Sequence, residues 1–536
     1  MLALPVLFGL VFFAYPLFNI MRYSLWDANG FNASGFLRLV GTRYYLETIG
    51  FSFWQAGLST LVTLALALPS AWVFVRYEFR FRRALLTLSS LPFVLPTVVV
   101  AMALQALLGN RGVVNQALVR AFALEEAPLQ LERTLGFILI AHVFYNYAVA
   151  LRLIVGYWAN QSPRIEEAAQ VLGARGWQVW WYVRLPLLRS SLLASALLVF
   201  IFTFTSFGVV LILGGIQFAT LEVQIYYQAL SVFNLPMAAA LSLVQLGVMG
   251  LMMGVYTRLQ RQYPRDLQAV GTLLRAPKRW HERLAVCLVV GFVGVLLLAP
   301  LGVLVWSSLS YAQDVPTLRY YALLAENTRL SALFVSAWVS VGYSLLYALI
   351  TTCLALILGV AAAFFIQKFP FADALFMLPL ATSAVTLGFG YILSFGAWRS
   401  AWWLVPMAHT LVALPFVLRS VLPALRALPP SLDDAGRVLG ANPRQRFGWL
   451  TLPLIGRGVA VGAVFSFTVS MGEFGASLFL ARPNMPTIPM TILRLLGQPL
   501  RDNYGQALAL SVVLLALCAA SFLLIERLRD VGTGEF

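Results

Sequence analysis

Four ionisable side chains stand inside long apolar stretches of this 536-residue chain: His142, His409, Glu473 and Glu222. A histidine can relay a proton or bind a metal, and a carboxylate in hydrocarbon can hold a cation or a proton. Spacing argues against enzymatic use. The third histidine, His281, lies far from the other two, and Cys287, Cys353 and Cys518 are far from one another. No metal-ligand spacing, disulfide framework or nucleophile with a nearby base results. The chain therefore reads as a non-enzyme without metal or cofactor. His142 and His409 are 267 residues apart in matching settings, each after an alanine and each followed by a Leu-Arg pair, Leu151-Arg152 and Leu418-Arg419. A neutral histidine bonding across helices would serve both settings equally, with a pathway role as the alternative. Arg152 and Arg419 read as snorkelling anchors. Glu473, in Met471-Gly472-Glu473-Phe474-Gly475, faces Ser206 in the matched stretch, while Phe-Gly is kept as Phe207-Gly208. It reads as a packing or gating residue. Glu222 is expected near the external surface.

The same offset relates two polar loops. One reads Glu167-Ala168-Ala169, three residues, Gly173, nine residues, Val183-Arg184-Leu185-Pro186. The other reads Asp434-Ala435-Gly436, three residues, Gly440, nine residues, Leu450-Thr451-Leu452-Pro453. Residues 141–188 laid on 408–455 give 14 identities in 48 positions without a gap. A duplicated unit is the simplest cause. In each loop a proline, Pro163 or Pro429-Pro430, favours ending one helix and starting the next. Glu166-Glu167 and Asp433-Asp434 then suit the positive end of a new helix. Gly173 and Gly440 can adopt the positive φ of a sharp turn. A second short amphipathic segment follows, carrying Trp177, Trp180 and Trp181 or Phe447 and Trp449, before Leu-Pro restarts the next span. Each loop is thus expected to form a rigid helical elbow. Gly436 in place of alanine weakens its helix by roughly 1 kcal/mol, so the second elbow is expected to hold a partner more loosely.

Those elbows must hang from a membrane body. With 60% hydrophobic and 11% charged residues and a mean hydropathy of +0.83, the chain is an all-α polytopic membrane protein. Apolar runs long enough to cross roughly 30 Å of hydrocarbon begin near residues 2, 53, 85, 135, 191, 237, 284, 333, 373, 402, 458 and 506. Twelve transmembrane helices in two homologous six-helix halves are expected. The first run lacks a basic leader and a small-residue cleavage site, so it reads as a span rather than a signal peptide. The net charge of +16 comes from short arginine clusters between spans, with no long basic face for nucleic acid. Arg76 to Arg83, Arg175 to Arg189, and the seven basic residues from Arg258 to Arg283 all fall on one side, the cytoplasmic one.

Five segments follow: 1–48, a first span and external loop; 49–258, the first repeated domain; 259–283, a cytoplasmic linker with Pro264 and Pro277; 284–332, a seventh span and external loop; and 333–528, the second repeated domain. The first span of each half reads as an added peripheral helix. Leu64-Ala65-Leu66 matches Leu354-Ala355-Leu356 at an offset of 290, so the first half holds about 23 extra residues, placed in external segment 109–134.

The elbow pattern resembles the signature of permease subunits of bacterial type I ABC importers. The resemblance implies two type-1 transmembrane domains in an inner membrane, embedded in lipid and coupled to a separate ATP-binding subunit. An external substrate-binding protein would deliver cargo. Glu167, Ala168, Ala169 and Gly173, with Asp434, Ala435 and Gly440, would be the coupling residues meeting the ATPase. The chain's own residues agree. Its two lysines, Lys278 and Lys368, follow no glycine-rich phosphate loop, so ATP would be hydrolysed elsewhere, and two elbows suit two ATPase copies. Gly-Glu-Phe-Gly runs such as the one around Glu473 resemble those in iron, sulfate and molybdate permeases, and Glu222 would lie within reach of the binding protein.

Two fused units of this length resemble the thiamine and ferric-iron permease family. Phe51-Ser52-Phe53-Trp54-Gln55-Ala56, Ala141-His142-Val143-Phe144-Tyr145-Asn146 and Thr220-Leu221-Glu222-Val223-Gln224-Ile225-Tyr226 look most like thiamine permeases. Thiamine is the expected substrate, ferric iron the alternative. An ion-coupled secondary transporter also has twelve spans in two halves, but it gives no reason for duplicated glycine-hinged elbows.

Overall fold

A computed structural model describes residues 3–27, 30–89, 91–162, 164–261, 274–311, 315–326, 333–398, 401–498 and 500–530. Pro163, Pro264 with the rest of linker residues 262–273, and loop residues 327–332 lie outside the described residues. Eleven described helices are long and apolar enough to span a membrane. In the first half they are α1 (Leu4–Leu25), α2 (Arg43–Arg76), α3 (Thr97–Phe122), α4 (Leu135–Ala159), α5 (Gly176–Phe204) and α6 (Leu235–Leu259). In the second they are α7 (Trp280–Ser308), α8 (Ala337–Lys368), α10 (Leu404–Arg426), α11 (Pro443–Gly472) and α12 (Arg501–Leu528). The twelfth, α9, is a pair, Ala372–Ala381 and Ala384–Ser394, bent by 97° at its break.

The third span also departs from one straight helix. Short helices Arg82–Leu88 and Leu91–Val94 precede α3, and the break falls at Pro92 and Pro96. The ninth span breaks after the same Leu-Pro pair, Leu378-Pro379. Proline lacks a donor and its ring collides with the preceding turn, so it favours a kink or break in the helix.

Leu-Pro acts differently at the elbows. Pro186 and Pro453 do not restart separate helices; the second amphipathic segment runs directly into the span. One turn widens to admit each proline. Leu185 N–H bonds Trp180 O and Leu452 N–H bonds Phe447 O, bonds five residues back that widen the turns over Trp180–Arg184 and Arg446–Thr451.

The first span of each half packs on its own last span and also clasps the other half. In α1, Phe12 meets the rings of Tyr391, Phe395 and Trp403, and Asn19 Nδ2 donates to Ser394 Oγ at 3.0 Å. Gly390 permits that approach, since a Cβ there would stand 3.1 Å from Ile20 Cδ1 and from Pro16 Cβ. In α7, Phe292 packs edge-on to Tyr147 of α4 at 5.5 Å. A short antiparallel ladder follows each clasp, Trp26–Asp27 with Gly30–Phe31 and Ser310–Tyr311 with Val315–Pro316. These two-residue ladders and two isolated bridges are the β structure among the described residues, so the all-α class stands.

One apolar core joins both halves, including Ala101, Phe144, Phe207, Phe389 and Phe474. Smaller cores sit toward each half's cytoplasmic end, one around Phe74, Tyr147 and Leu188, the other around Leu358, Val417 and Ile455. Burying such aliphatic and aromatic side chains fixes helix packing by shape, since lipid is as apolar as the core. Repeat symmetry extends to single bonds. Ser52 Oγ accepts from Leu221 N–H at 2.9 Å, and Ser344 Oγ accepts from Ile488 N–H at 2.8 Å.

Candidate functional site

Both elbows form as the spacing requires. Helix Arg164–Val171 ends at Gly173 with φ +87°, and helix Pro430–Val438 ends at Gly440 with φ +77°. The two stops make the same pair of bonds. Ala174 N–H reaches Ala169 O at 3.0 Å and Gly173 N–H reaches Gln170 O at 3.0 Å; Ala441 N–H reaches Gly436 O and Gly440 N–H reaches Arg437 O, each at 3.0 Å. This double closure satisfies orphan carbonyls and locks the turn. Gln178 and Gln445, also matched by the repeat, accept from Arg175 N–H at 2.8 Å and Asn442 N–H at 2.9 Å to start the next helix.

The acidic pair divides its work. Glu166 is held inside its elbow by a bidentate pair with Arg184, at 2.7 Å to Nε and 2.6 Å to Nη2. Asp433 is held by Arg446 at 2.6 Å and Arg437 at 2.8 Å. Glu167 and Asp434 are exposed and make no ion pair among the described residues. The arginines come from unmatched positions, and that explains Gly436. A Cβ there would stand 2.9 Å from Leu450 Cδ1 and 3.2 Å from Arg446 Cγ, so glycine makes room for the crossing arginine stem. At each tip two apolar residues stand bare: Val171 at 87% and Leu172 at 88% exposed, Val438 at 87% and Leu439 at 85%.

At the centre of the molecule the halves meet on matched residues. Phe207 and Phe474 stack with centroids 5.5 Å apart and planes 29° apart. Beside them Tyr226 contacts Phe207 at 5.6 Å and Phe479 at 6.0 Å. Backbone comes close as well. A Cβ on Gly208 would stand 3.1 Å from Phe474 Cδ1, and one on Gly472 would stand 3.1 Å from Pro96 Cγ.

The two histidines are not equivalent in use. His409 shares hydrogen bonds with Ser470 at 2.8 Å and Ser477 at 2.9 Å, and Glu473 Oε2 lies 3.4 Å from its Nε2. Glu473 also accepts from the N–H groups of Ala476 at 3.1 Å and Ser477 at 3.0 Å. His142 pairs with Ser59 at 2.9 Å, while its buried Nε2 lacks a partner. Both histidines bond across helices, but with different sets of partners, because Ser206 and Val210 occupy the places of Glu473 and Ser477.

Glu222 is not at the surface. Its exposure is 0%, and its carboxylate accepts from Gln245 Nε2 of α6 and, at 2.6 Å, from Ser383 Oγ at the break in α9. The chain folds back after α5 into the short helix Leu221–Tyr226, which carries Glu222 inward against the opposite half.

Two cavities flank this centre. One of about 1000 Å³ lies between the halves near the arginine-rich side, lined by Arg152, Tyr157 and Tyr256 from the first half and by Asp373, Met377 and Arg419 from the second. Arg152 and Arg419 thus border one shared cavity, rather than serving only as anchors. The other, of about 920 Å³, lies on the opposite side among Arg111, Arg120, Glu132, Tyr320, Arg501 and Tyr504.

A family model described as binding-protein-dependent transport system inner membrane component matches residues 61–264 and again 355–530. The chain belongs to this family. It is a permease subunit of an ABC importer, spanning the inner membrane many times. It is 28% identical over 502 residues to the thiamine transport system permease protein of Salmonella typhimurium, covering 90% of this chain and 89% of that one. It is 29% identical over 508 residues to the corresponding Escherichia coli protein, covering 91% and 90%. The ferric transport system permease protein of Actinobacillus pleuropneumoniae is 25% identical over 540 residues, covering 96% of this chain and 76% of that one. A crystal structure of a bacterial ABC transporter for alginate import aligns at 18% identity and a TM-score of 0.40, covering 48% of this chain and 93% of that one.

Within this permease, sequence reasoning had passed over Val171-Leu172, Val438-Leu439, Gln178 and Gln445. Their identity at the 267 offset was the available signal. It had also missed the Glu222 partners Gln245 and Ser383, for which no local pattern exists.

Proposed function

We propose that this permease imports thiamine. The observation that carries the reading is the similarity to thiamine permeases along nine-tenths of both chains. In this reading each elbow enters a cleft on one of two ATPase copies. Val171-Leu172 and Val438-Leu439 supply the apolar contact, and Glu167 and Asp434 supply charge that the elbow itself does not use. Ala168, Ala169 and Ala435 keep the docking face narrow, and Gly173 and Gly440 fix its angle. Closure of the ATPase dimer draws the elbows together, and the halves rock so that the Phe207 and Phe474 contact opens and closes to alternate access. A substrate-binding protein docks on the face opposite the elbows. Such alternation requires a seal on one side of the path while the other is open; here the aromatic contact is closed and the cavity bordered by Arg152 and Arg419 lies on the elbow side.

The similarity to a ferric permease over most of this chain supports iron as the second reading. Uptake of labelled thiamine and labelled ferric iron, compared in cells with and without the gene and repeated with ATP depleted, separates the two. Gene-dependent, ATP-dependent thiamine uptake is the expected result. Gene-dependent iron uptake with unchanged thiamine uptake would replace the reading.

A further inference from the structure

Glu222 is a buried carboxylate with no positive partner among the described residues. Its two bonded donors, Gln245 and Ser383, are neutral, whereas Glu473 has His409 beside it and two backbone N–H groups. A carboxylate offers about four acceptor positions, so Glu222 retains capacity for a further ligand. The fold itself does not demand this group. Three local registers, Leu221 on Ile488, Ala240-Leu241-Ser242 on Ala509-Leu510-Ser511, and Leu91-Pro92 on Leu378-Pro379, make Pro489, Leu514 and Pro96 the counterparts of Glu222, Gln245 and Ser383. All three are buried, so the second copy builds the same corner from apolar residues.

One helical turn beyond Glu222 is Tyr226, on the same face of its helix. Tyr226 touches Phe207 and Phe479, and Phe207 stacks on Phe474. Glu222 is thus linked through Tyr226 to a cluster of four rings, two from each half. Ring faces attract positive charge, most strongly where water is excluded, and a carboxylate neutralises it. A hard metal ion would instead call for several oxygen ligands. We infer that Glu222, Tyr226, Phe207, Phe474 and Phe479 form a binding site for an organic cation with a planar ring, closed in this conformation and opened when the halves part. Ser383 belongs to the opposite half, so parting withdraws its hydroxyl and frees one carboxylate oxygen for the cargo. The inference rests on the thiamine reading, because the thiazolium ring of thiamine is such a cation.

The test uses proteoliposomes of the permease with its ATPase and binding protein, and follows labelled thiamine. Glu222→Gln is nearly isosteric, and assembly with the ATPase on gel filtration reports its folding. Its kcat for uptake should fall at least tenfold with KM unchanged, since the binding protein sets KM. Glu222→Asp keeps the charge and should recover uptake to within a few-fold of wild type. Ser383→Ala should stay within twofold, because its bond is absent from the open state. Uptake by Glu222→Gln within twofold of wild type would overturn the inference alone. Equal losses in Glu222→Gln and Ser383→Ala, or no recovery with Glu222→Asp, would mark the network as a structural tie and also overturn it. No thiamine uptake by the wild-type complex would overturn both the inference and the proposed function.

Discussion

Phe207 and Phe474, 267 residues apart in the chain and matched in the repeat, stack on each other at 5.5 Å. A residue that meets its own counterpart must lie on the axis relating the two halves. A path running between the halves along that axis is therefore blocked by these two rings. Replacing both with alanine should open it, and replacing both with leucine should open it less because more bulk remains. Leakage of a small trapped dye from proteoliposomes without ATP should rise several-fold for the alanine pair. Vesicles as tight as wild type would show that the seal lies elsewhere.

The elbow tips predict a separation of stability from coupling. Val171 and Leu172 are nearly fully exposed, so Leu172→Asp should change the permease's own stability by less than about 0.5 kcal/mol. It should nonetheless lower ATPase association at least tenfold, as should Glu167→Arg, with Asp434→Arg milder. Glu166→Gln acts differently, since Glu166 is tied to Arg184 at 2.6 Å and its loss loosens the elbow itself. Pull-down of the ATPase by each purified variant, paired with thermal unfolding, distinguishes the two classes. Full ATPase association by both Leu172→Asp and Glu167→Arg would remove the docking role.

Glycines at matched and unmatched elbow positions should respond unequally. Gly173→Ala forces a Cβ into the left-handed region at φ +87°, at a cost of about 1–2 kcal/mol, and meets no other atom within 4 Å. Gly436→Ala has ordinary backbone but collides with Leu450 and Arg446, and overpacking of this kind costs about 1–3 kcal/mol. The added term at Gly436 is relieved if Arg446 is shortened. Unfolding of Gly436→Ala with and without Arg446→Ala should therefore show a non-additive recovery, whereas Gly173→Ala with Arg446→Ala should simply add.

Most of the fold was legible because its signals are local or repeated. Apolar runs marked spans, arginines marked one face, and equal spacing marked both elbows down to Gly173 and Gly440. Three features were not legible, each for a reason. The breaks at Pro92, Pro96 and Pro379 lie inside apolar runs, and hydropathy is blind to helix continuity. The continuous helix through Pro186 and Pro453 depends on one widened turn that leaves no mark in composition. The burial of Glu222 depends on Ser383, 161 residues away, and on the chain folding inward after α5, so a polar residue next to a span end was read as external.

The histidines offer the sharpest contrast between sequence symmetry and structural use. His409 bonds Ser470 and Ser477 and stands against Glu473, so His409→Leu strips the carboxylate of its side-chain partner and leaves two hydroxyls to find others. Loss of a hydrogen bond to a charged group costs about 1.5–3 kcal/mol. His142→Leu removes one bond, to Ser59, and also removes a buried nitrogen that has no partner. An average interhelical hydrogen bond in a membrane protein is worth roughly 0.6 kcal/mol, so this change should cost less than about 1 kcal/mol. Unfolding of the two purified variants in mixed detergent should rank them in that order. A second arm checks the cause: Glu473→Gln should soften the effect of His409→Leu, because a neutral amide costs less to bury than a carboxylate when a polar neighbour is lost, and should leave His142→Leu unchanged. Equal destabilisation by the two histidine variants would mean that the repeat, not the local partners, sets the role of each ring.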